Sequence, residues 1–219
     1  MGLLGVHASE RRTVALVATL MFVSLWGAAI GESAVNALFF DRIGTQALPL
    51  MYLAQAGTTL VAMFALTAVL QRVAHRAIYI WSPLLLAVVV LAERGVLTTD
   101  ARWIYPVLWV TVAFATLAQA IGLWGTAGVV VDTRQAKRLF PIFGAGGILG
   151  AVVGGLLTRP LAAVIGVENL LLVWIAALVV AAALCRLSLG AAGAHPEPPR
   201  RETSLLEGIK SGYAYVRRS

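Results

Sequence analysis

The sequence contains little charge and almost no cysteine or histidine. Asp, Glu, Lys and Arg make up 12% of its 219 residues, whereas 60% of the residues are hydrophobic. The mean hydropathy of +0.87 lies far above the range of soluble domains, which excludes a soluble enzyme as the default interpretation. A single cysteine, Cys185, excludes an intrachain disulfide and a cysteine metal cluster, and leaves the redox compartment open.

The residues that enzymes use for chemistry are also scattered. His7, His75 and His195 lie in separate loops or tails, and no spacing of His, Cys and carboxylates indicates a metal site. The sequence has no phosphate-binding loop and no Ser, His and Asp set that position alone supports. We therefore expect no enzyme, no cofactor and no metal.

Apolar stretches fill most of the chain. A bilayer core about 30 Å thick requires roughly 20 apolar residues per helix, and six stretches reach or approach that length. They predict an all-α integral membrane protein with a six-transmembrane-helix bundle, because helices satisfy their own backbone hydrogen bonds. The predicted spans are about 13–38, 47–70, 77–97, 103–131, 139–164 and 168–186, after a cytoplasmic N-terminus over 1–12.

Basic residues divide unequally between the two sides of the predicted membrane. Short loops rich in Lys and Arg stay cytoplasmic, and a cytoplasmic N-terminus places thirteen cations inside and four outside. The thirteen are Arg11, Arg12, Arg72, Arg76, Arg134, Lys137, Arg138, Arg186, Arg200, Arg201, Lys210, Arg217 and Arg218; the four are Arg42, Arg94, Arg102 and Arg159. This bias predicts a multi-pass protein of the inner or plasma membrane with both termini cytoplasmic. It also accounts for the net charge of +7, so we do not expect nucleic-acid binding.

The chain changes character after the sixth span. Residues 187–219 predict a cytoplasmic linker with an amphipathic helix over 204–218. That helix lies on the membrane surface or leads into another span.

Several polar residues within the apolar spans are candidates for solute binding. Glu32 and Asn36 share a helix face if the first helix extends that far, and Glu32 is also a candidate proton or ion site. Gln55 and Thr58 in the second span and Gln119 in the fourth are candidates for lining a cavity. Interhelical hydrogen bonds explain such residues equally well.

A second set of residues receives structural or gating roles. The fifth span carries a row of small residues, Gly146, Gly150 and Gly154. Such a row permits close helix packing, or sliding in a rocking transporter. Arg159 interrupts the apolar stretch in the outer leaflet. We expect its side chain to extend to the interface rather than to pair with Glu32 or Glu93.

Three segments resemble known transporters. The basic turn over 71–76 (QRVAHR) resembles the loop signature of the major facilitator superfamily. Residues 39–45 (FFDRIGT) and 135–144 (QAKRLFPIFG) are similar to segments of the bacterial and plastid ATP/ADP translocase (nucleotide transporter) family, which is facilitator-like with twelve helices. The resemblance covers roughly residues 11–186. It implies the N-terminal half of such a transporter, with structural or gating roles for Arg72, Arg76, Lys137 and Arg138.

The resemblance also implies a mechanism. In alternating access, one six-helix bundle rocks against a second, which is the other half of a longer chain or a second copy in a homodimer. Val35 and Val112 stand where nucleotide exchangers carry a basic and an acidic residue, and no Lys lies in any span. A polyanionic nucleotide needs such cations in a low-dielectric cavity, which argues against ATP/ADP exchange. We expect a permease for a small solute with a coupling proton or ion, in an incomplete or half-length form.

A second interpretation stays open, in which the chain is a non-transporting membrane anchor or regulatory module that acts through its cytoplasmic tail. Contact between Gln55 and Gln119 across an aqueous cavity favours transport. Lipid-facing or fully packed positions of these two side chains favour the anchor.

Overall fold

A computed structural model describes residues 10–99 and 101–191, and for residues 70–72 and 133 the backbone only. The six long helices are α1 (Arg11–Arg42), α2 (Leu48–Arg72), α3 (His75–Val96), α4 (Ile104–Val130), α5 (Thr133–Ile165) and α6 (Leu170–Ala191). Short 3-10 turns cover Thr45–Ala47 and Leu97–Thr99. Neither described range contains a strand. The amphipathic helix predicted over 204–218 lies outside the described residues.

All six helices are long and apolar enough to cross a membrane, so this part of the chain is an all-α bundle with the make-up of a multi-pass membrane protein. With 32 and 33 residues, α1 and α5 are about 50 Å long at 1.5 Å per residue, and both exceed the thickness of the hydrocarbon core. They therefore begin before and end after the spans predicted at 13–38 and 139–164, and α6 continues to Ala191.

Helix α1 is the centre of the bundle. It packs most extensively against α5, then against α6, and also against α4. Helix α3 packs between α4 and α6, while α2 packs mainly against α4. We call the end where α1 and α5 begin the first end and the opposite one the second end. In the predicted orientation the first end is cytoplasmic.

Two apolar cores fill the bundle, one toward each end. The core of the second end contains Phe39, Tyr105 and Trp174, and the core of the first end contains Leu139 and Phe143. Both consist of large aliphatic and aromatic side chains. Because lipid is as apolar as these side chains, close packing rather than escape from water holds the helices together.

Glycines let α1 approach its two main partners. Gly27 and Gly31 face α6, where an added Cβ would overlap the side chains of Ala177 and Trp174. The row Gly146, Gly150 and Gly154 lies on the backbone of α1. A Cβ at Gly154 would lie 2.6 Å from the carbonyl oxygen of Trp26, and one at Gly150 would overlap that of Phe22. The row thus makes a backbone-to-backbone contact between α5 and α1.

Candidate functional site

Helix α1 carries a carboxyl group on the outer surface of the bundle, in the half of the helix nearer the second end. The helix continues unbroken to Arg42, so Glu32 and Asn36 are one turn apart on the same face. Glu32 is exposed and Asn36 half-buried. Ten residues separate Glu32 from the end of α1, a distance of about 15 Å along the helix axis. Glu32 follows Gly31, which packs on Trp174, so it lies about one turn inside the level at which α6 begins, and no other helix of the bundle covers it.

Aromatic and amide side chains continue this face of α1 toward the second end. Phe40 is one turn beyond Asn36, and its ring lies 6.0 Å from the Trp109 ring in α4. The Tyr52 ring in α2 lies 6.2 Å from the same indole. Trp109 Nε1 donates a 3.1 Å hydrogen bond to Gln55 Oε1. We call Asn36, Phe40, Tyr52, Gln55 and Trp109 the aromatic–amide face.

This face offers rings and neutral amides beside one acid. Phe40 is 42% and Tyr52 58% exposed, whereas Trp109 is buried. Exposed rings bind planar apolar groups and cations, and amides bind both hydrogen-bond donors and hydrogen-bond acceptors. Glu32 adds a negative charge two turns from Phe40. The arrangement suits an uncharged or cationic solute with a ring or a compact apolar part.

Gln119 lies elsewhere, in an internal cavity near the middle of the bundle. The cavity has a water-accessible volume of about 30 Å³, enough for one or two water molecules. Gln119 Nε2 is buried and has no hydrogen-bond partner in the described part of the chain. Polar atoms of Ser24, Ser82 and Thr126 also line the cavity, with the thiol of Cys185. An ordered water there would satisfy the free amide.

Thr58 lies in a third place, an open groove of about 820 Å³ between α2, α3 and α4. The groove is lined mostly by Leu, Val, Ala and aromatic side chains, with Thr58, Ser82 and Thr111 as its polar members. Its composition is that of a lipid-facing surface, where acyl chains fill the space between helices.

The five candidate solute-binding residues therefore divide among three places. Gln55 hydrogen-bonds Trp109, which Phe40 of α1 also contacts, while Asn36 and Glu32 lie one and two turns before Phe40 on the same face of α1. Gln119 lines the internal cavity and Thr58 the groove. Gln55 and Gln119 are not hydrogen-bonded to each other, since Gln55 pairs with Trp109 and the Gln119 amide nitrogen has no partner among the described residues. The hydrogen bond of Gln55 to Trp109 is the kind of packing that suits an anchor, whereas the cavity at Gln119 suits transport.

Sequence reasoning missed a buried acid. Glu93 in α3 is 7% exposed, and its Oε1 accepts a 2.5 Å hydrogen bond from Thr111 Oγ1 in α4. The sequence suggested Glu93 only as an interruption of the third span and a partner for Arg159. Its spacing to the buried Leu86 and Val90 was the available signal, because residues at i, i+4 and i+7 lie on one helix stripe.

The cations of the described residues lie toward the two ends. At the first end, Arg138 Nη2 lies 2.9 Å from both Glu10 carboxylate oxygens, and Gln135 Nε2 donates to Glu10 Oε1 at 2.9 Å. At the second end, Arg94 Nη2 donates to Asn169 Oδ1 at 2.9 Å. These contacts tie α5 to α1, and α3 to the start of α6.

The remaining basic residues with assigned roles lie on the surface. Arg159 is exposed and forms no ion pair with any described acid, Glu32 and Glu93 included. Lys137 is exposed and Arg76 half-buried. Arg72 ends α2, and its side chain lies outside the described atoms.

No protein-family model, curated protein or solved structure matches this chain.

Proposed function

We propose that this six-helix bundle is the membrane domain of a permease that moves a small solute by alternating access. The exposed position of Glu32 carries the proposal. A carboxyl group on the outer surface of a spanning helix is expensive to place in lipid, so its face borders water or another polar surface. A membrane anchor has no need of such a face.

The solute binds at the aromatic–amide face, with Glu32 as counter-charge for a cationic group. Among the described residues, Lys137 lies near the start of α5 at the first end, and Arg42, two residues from Phe40, already has its Nε 3.3 Å from Asp41 Oδ2. A polyanion such as ATP would leave its charge uncompensated. The solute is therefore uncharged or cationic, and the protein does not exchange ATP for ADP.

A second six-helix bundle completes the transporter, as the other half of a longer chain or as a second copy. In the apolar 18-residue segment of each helix, only 6% of the residues of α2 and 11% of those of α5 are buried. The corresponding fraction is 44% for α1 and for α6. A partner that covers α2 and α5 encloses the face of α1 between the two bundles. The similar segments at 39–45, 71–76 and 135–144 support a facilitator-type, nucleotide-transporter-like architecture. The loop charges support a cell-membrane location with cytoplasmic termini.

Uptake into proteoliposomes tests the proposal. The purified protein is reconstituted, and uptake of radiolabelled uridine, choline and ATP is compared with that of protein-free vesicles. We expect uptake of uridine or choline and none of ATP. Gln55→Leu should abolish that uptake, because it removes the acceptor of the Trp109 indole and an amide of the site.

Gln46→Leu is the matched control for Gln55→Leu. Gln46 is exposed in the turn Thr45–Ala47 and forms no hydrogen bond with another described residue, so uptake should persist. Correctly folded protein that is dimeric in the vesicles and takes up neither uridine nor choline would favour the non-transporting anchor.

A further inference from the structure

The acid at position 93 is the most deeply buried charged side chain among the described residues. It lies three residues before the end of α3, on the stripe that packs against α4 and α6. One carboxylate oxygen, Oε1, accepts the Thr111 hydroxyl. The other, Oε2, is buried and has no partner. Only one of the two carboxyl oxygens therefore has a hydrogen-bond partner.

Within residues 10–99 and 101–191, no described cation pairs with this carboxyl group. Arg94, the next residue, extends instead to Asn169 and to Glu168, whose Oε2 lies 3.7 Å from Arg94 Nη2. None of the described Lys and Arg side chains forms an ion pair with Glu93. The other titratable groups on the helices packed against α3 are Tyr105 in α4 and Cys185 and Arg186 in α6. Cys185 and Arg186 lie toward the first end, far along the bundle from Glu93.

We propose that Glu93 and Thr111 form a proton-binding site between α3 and α4. A buried carboxylate with a single hydrogen bond and no counter-ion is costly, and uptake of one proton removes the charge. The proton resides on Oε2, while Oε1 continues to accept the Thr111 hydroxyl. The step is a simple protonation: one O–H bond forms and the side chain goes from −1 to neutral.

The position of Thr111 links this site to solute binding, a link that rests on the proposed function. Thr111 is two residues from Trp109 on α4, and Trp109 holds Gln55. Loss of the proton leaves a charge between α3 and α4 that only water can solvate, which favours separation of the two helices. Movement of α4 carries Trp109 with it. Proton release at Glu93 and rearrangement of the aromatic–amide face are thereby coupled.

Infrared difference spectroscopy tests the proton site without any transport measurement. Full-length protein in lipid vesicles is transferred from neutral to strongly alkaline buffer, and the carbonyl stretch of protonated carboxylic acids is recorded. We expect a band at neutral pH that disappears in alkali. Glu93→Gln should lack the band, and Glu32→Gln, which alters an exposed acid, should keep it. Thr111→Val should shift the band to higher frequency, because the carbonyl loses its hydrogen bond.

The outcomes separate this proposal from the proposed function. A band that persists in Glu93→Gln, or that is lost in Glu32→Gln, overturns the proton site. If Glu93→Gln fails to fold, an unshifted band in Thr111→Val overturns it equally. A band with the expected behaviour in a protein that takes up neither uridine nor choline supports the proton site and refutes permease activity. Uptake of uridine or choline by a protein that lacks the band supports permease activity and overturns the proton site.

Discussion

Replacing Gly150 by alanine tests the contact on which the bundle depends most, that between α1 and α5. The added Cβ would overlap the carbonyl oxygen of Phe22 and lie 2.9 Å from both its carbonyl carbon and its Cα. Carbon atoms in contact are normally about 3.5–4.0 Å apart, so the two helices must separate locally by about 1 Å. No change of side-chain rotamer can relieve this overlap, because the overlapped atoms belong to the backbone of α1.

The expected cost follows from overpacking, which typically destabilises a protein by about 1–3 kcal/mol. The higher helix propensity of alanine offsets at most about 1 kcal/mol of this destabilisation. Gly150→Ala should therefore lower the free energy of unfolding by up to about 2 kcal/mol, and by about 1–3 kcal/mol relative to an alanine at an open position of the same helix. Gly155→Ala is the matched control on the same helix. Nothing lies within 4 Å of its Cβ position, so it should be neutral or stabilising.

The assay is reversible unfolding in mixed micelles with increasing dodecyl sulfate, followed by tryptophan fluorescence. The buried Trp174, which packs on Gly31 of α1, reports on the core. Equal stability of the Gly150→Ala and Gly155→Ala proteins would refute the backbone contact between α5 and α1.

Two further predictions use the same unfolding assay. Glu10→Gln should destabilise the bundle by about 1 kcal/mol, because it leaves the partly buried Arg138 without its counter-charge, and a double-mutant cycle with Arg138→Gln should recover most of that loss. Trp109→Phe should cost about 0.5–1 kcal/mol through loss of the hydrogen bond to Gln55. Trp103→Phe, at a 61% exposed position, should change stability little, and an equal effect of the two Trp variants would contradict the assigned contact.

The number and type of helices follow from the sequence, but their pairing does not. Helices such as α4 are apolar around most of their circumference, so no stripe marks the side that packs against a neighbour. Small residues at 146, 150 and 154 indicated a close approach but not its partner. The partner follows only from the fold, where α5 lies along α1.

The individual polar residues of the candidate site could be predicted from the sequence, but their arrangement in space could not. Glu32, Asn36 and Gln55 are conspicuous because polar groups in apolar spans are rare. Trp109 does not stand out in the sequence, since an indole near a helix end is typical of the membrane interface. Its role depends on Gln55, 54 residues earlier in the chain. Glu93 lies within the span predicted at 77–97, but its contact with Thr111, 18 residues later, follows only from the packing of α3 against α4.

The exposure of position 32 to water in the membrane tests the account most directly. In a Cys185→Ser background, Glu32→Cys is treated in native membrane vesicles with a charged, membrane-impermeant methanethiosulfonate. Leu172→Cys is the control, because Leu172 is exposed on α6 and lies two residues before Trp174, which packs on Gly31 beside Glu32 and so places both positions at a similar depth. A thiol at position 32 should react at least about tenfold faster, since only a polar path admits the charged reagent. Equal, negligible rates at both positions would place Glu32 against lipid and contradict transport along this face.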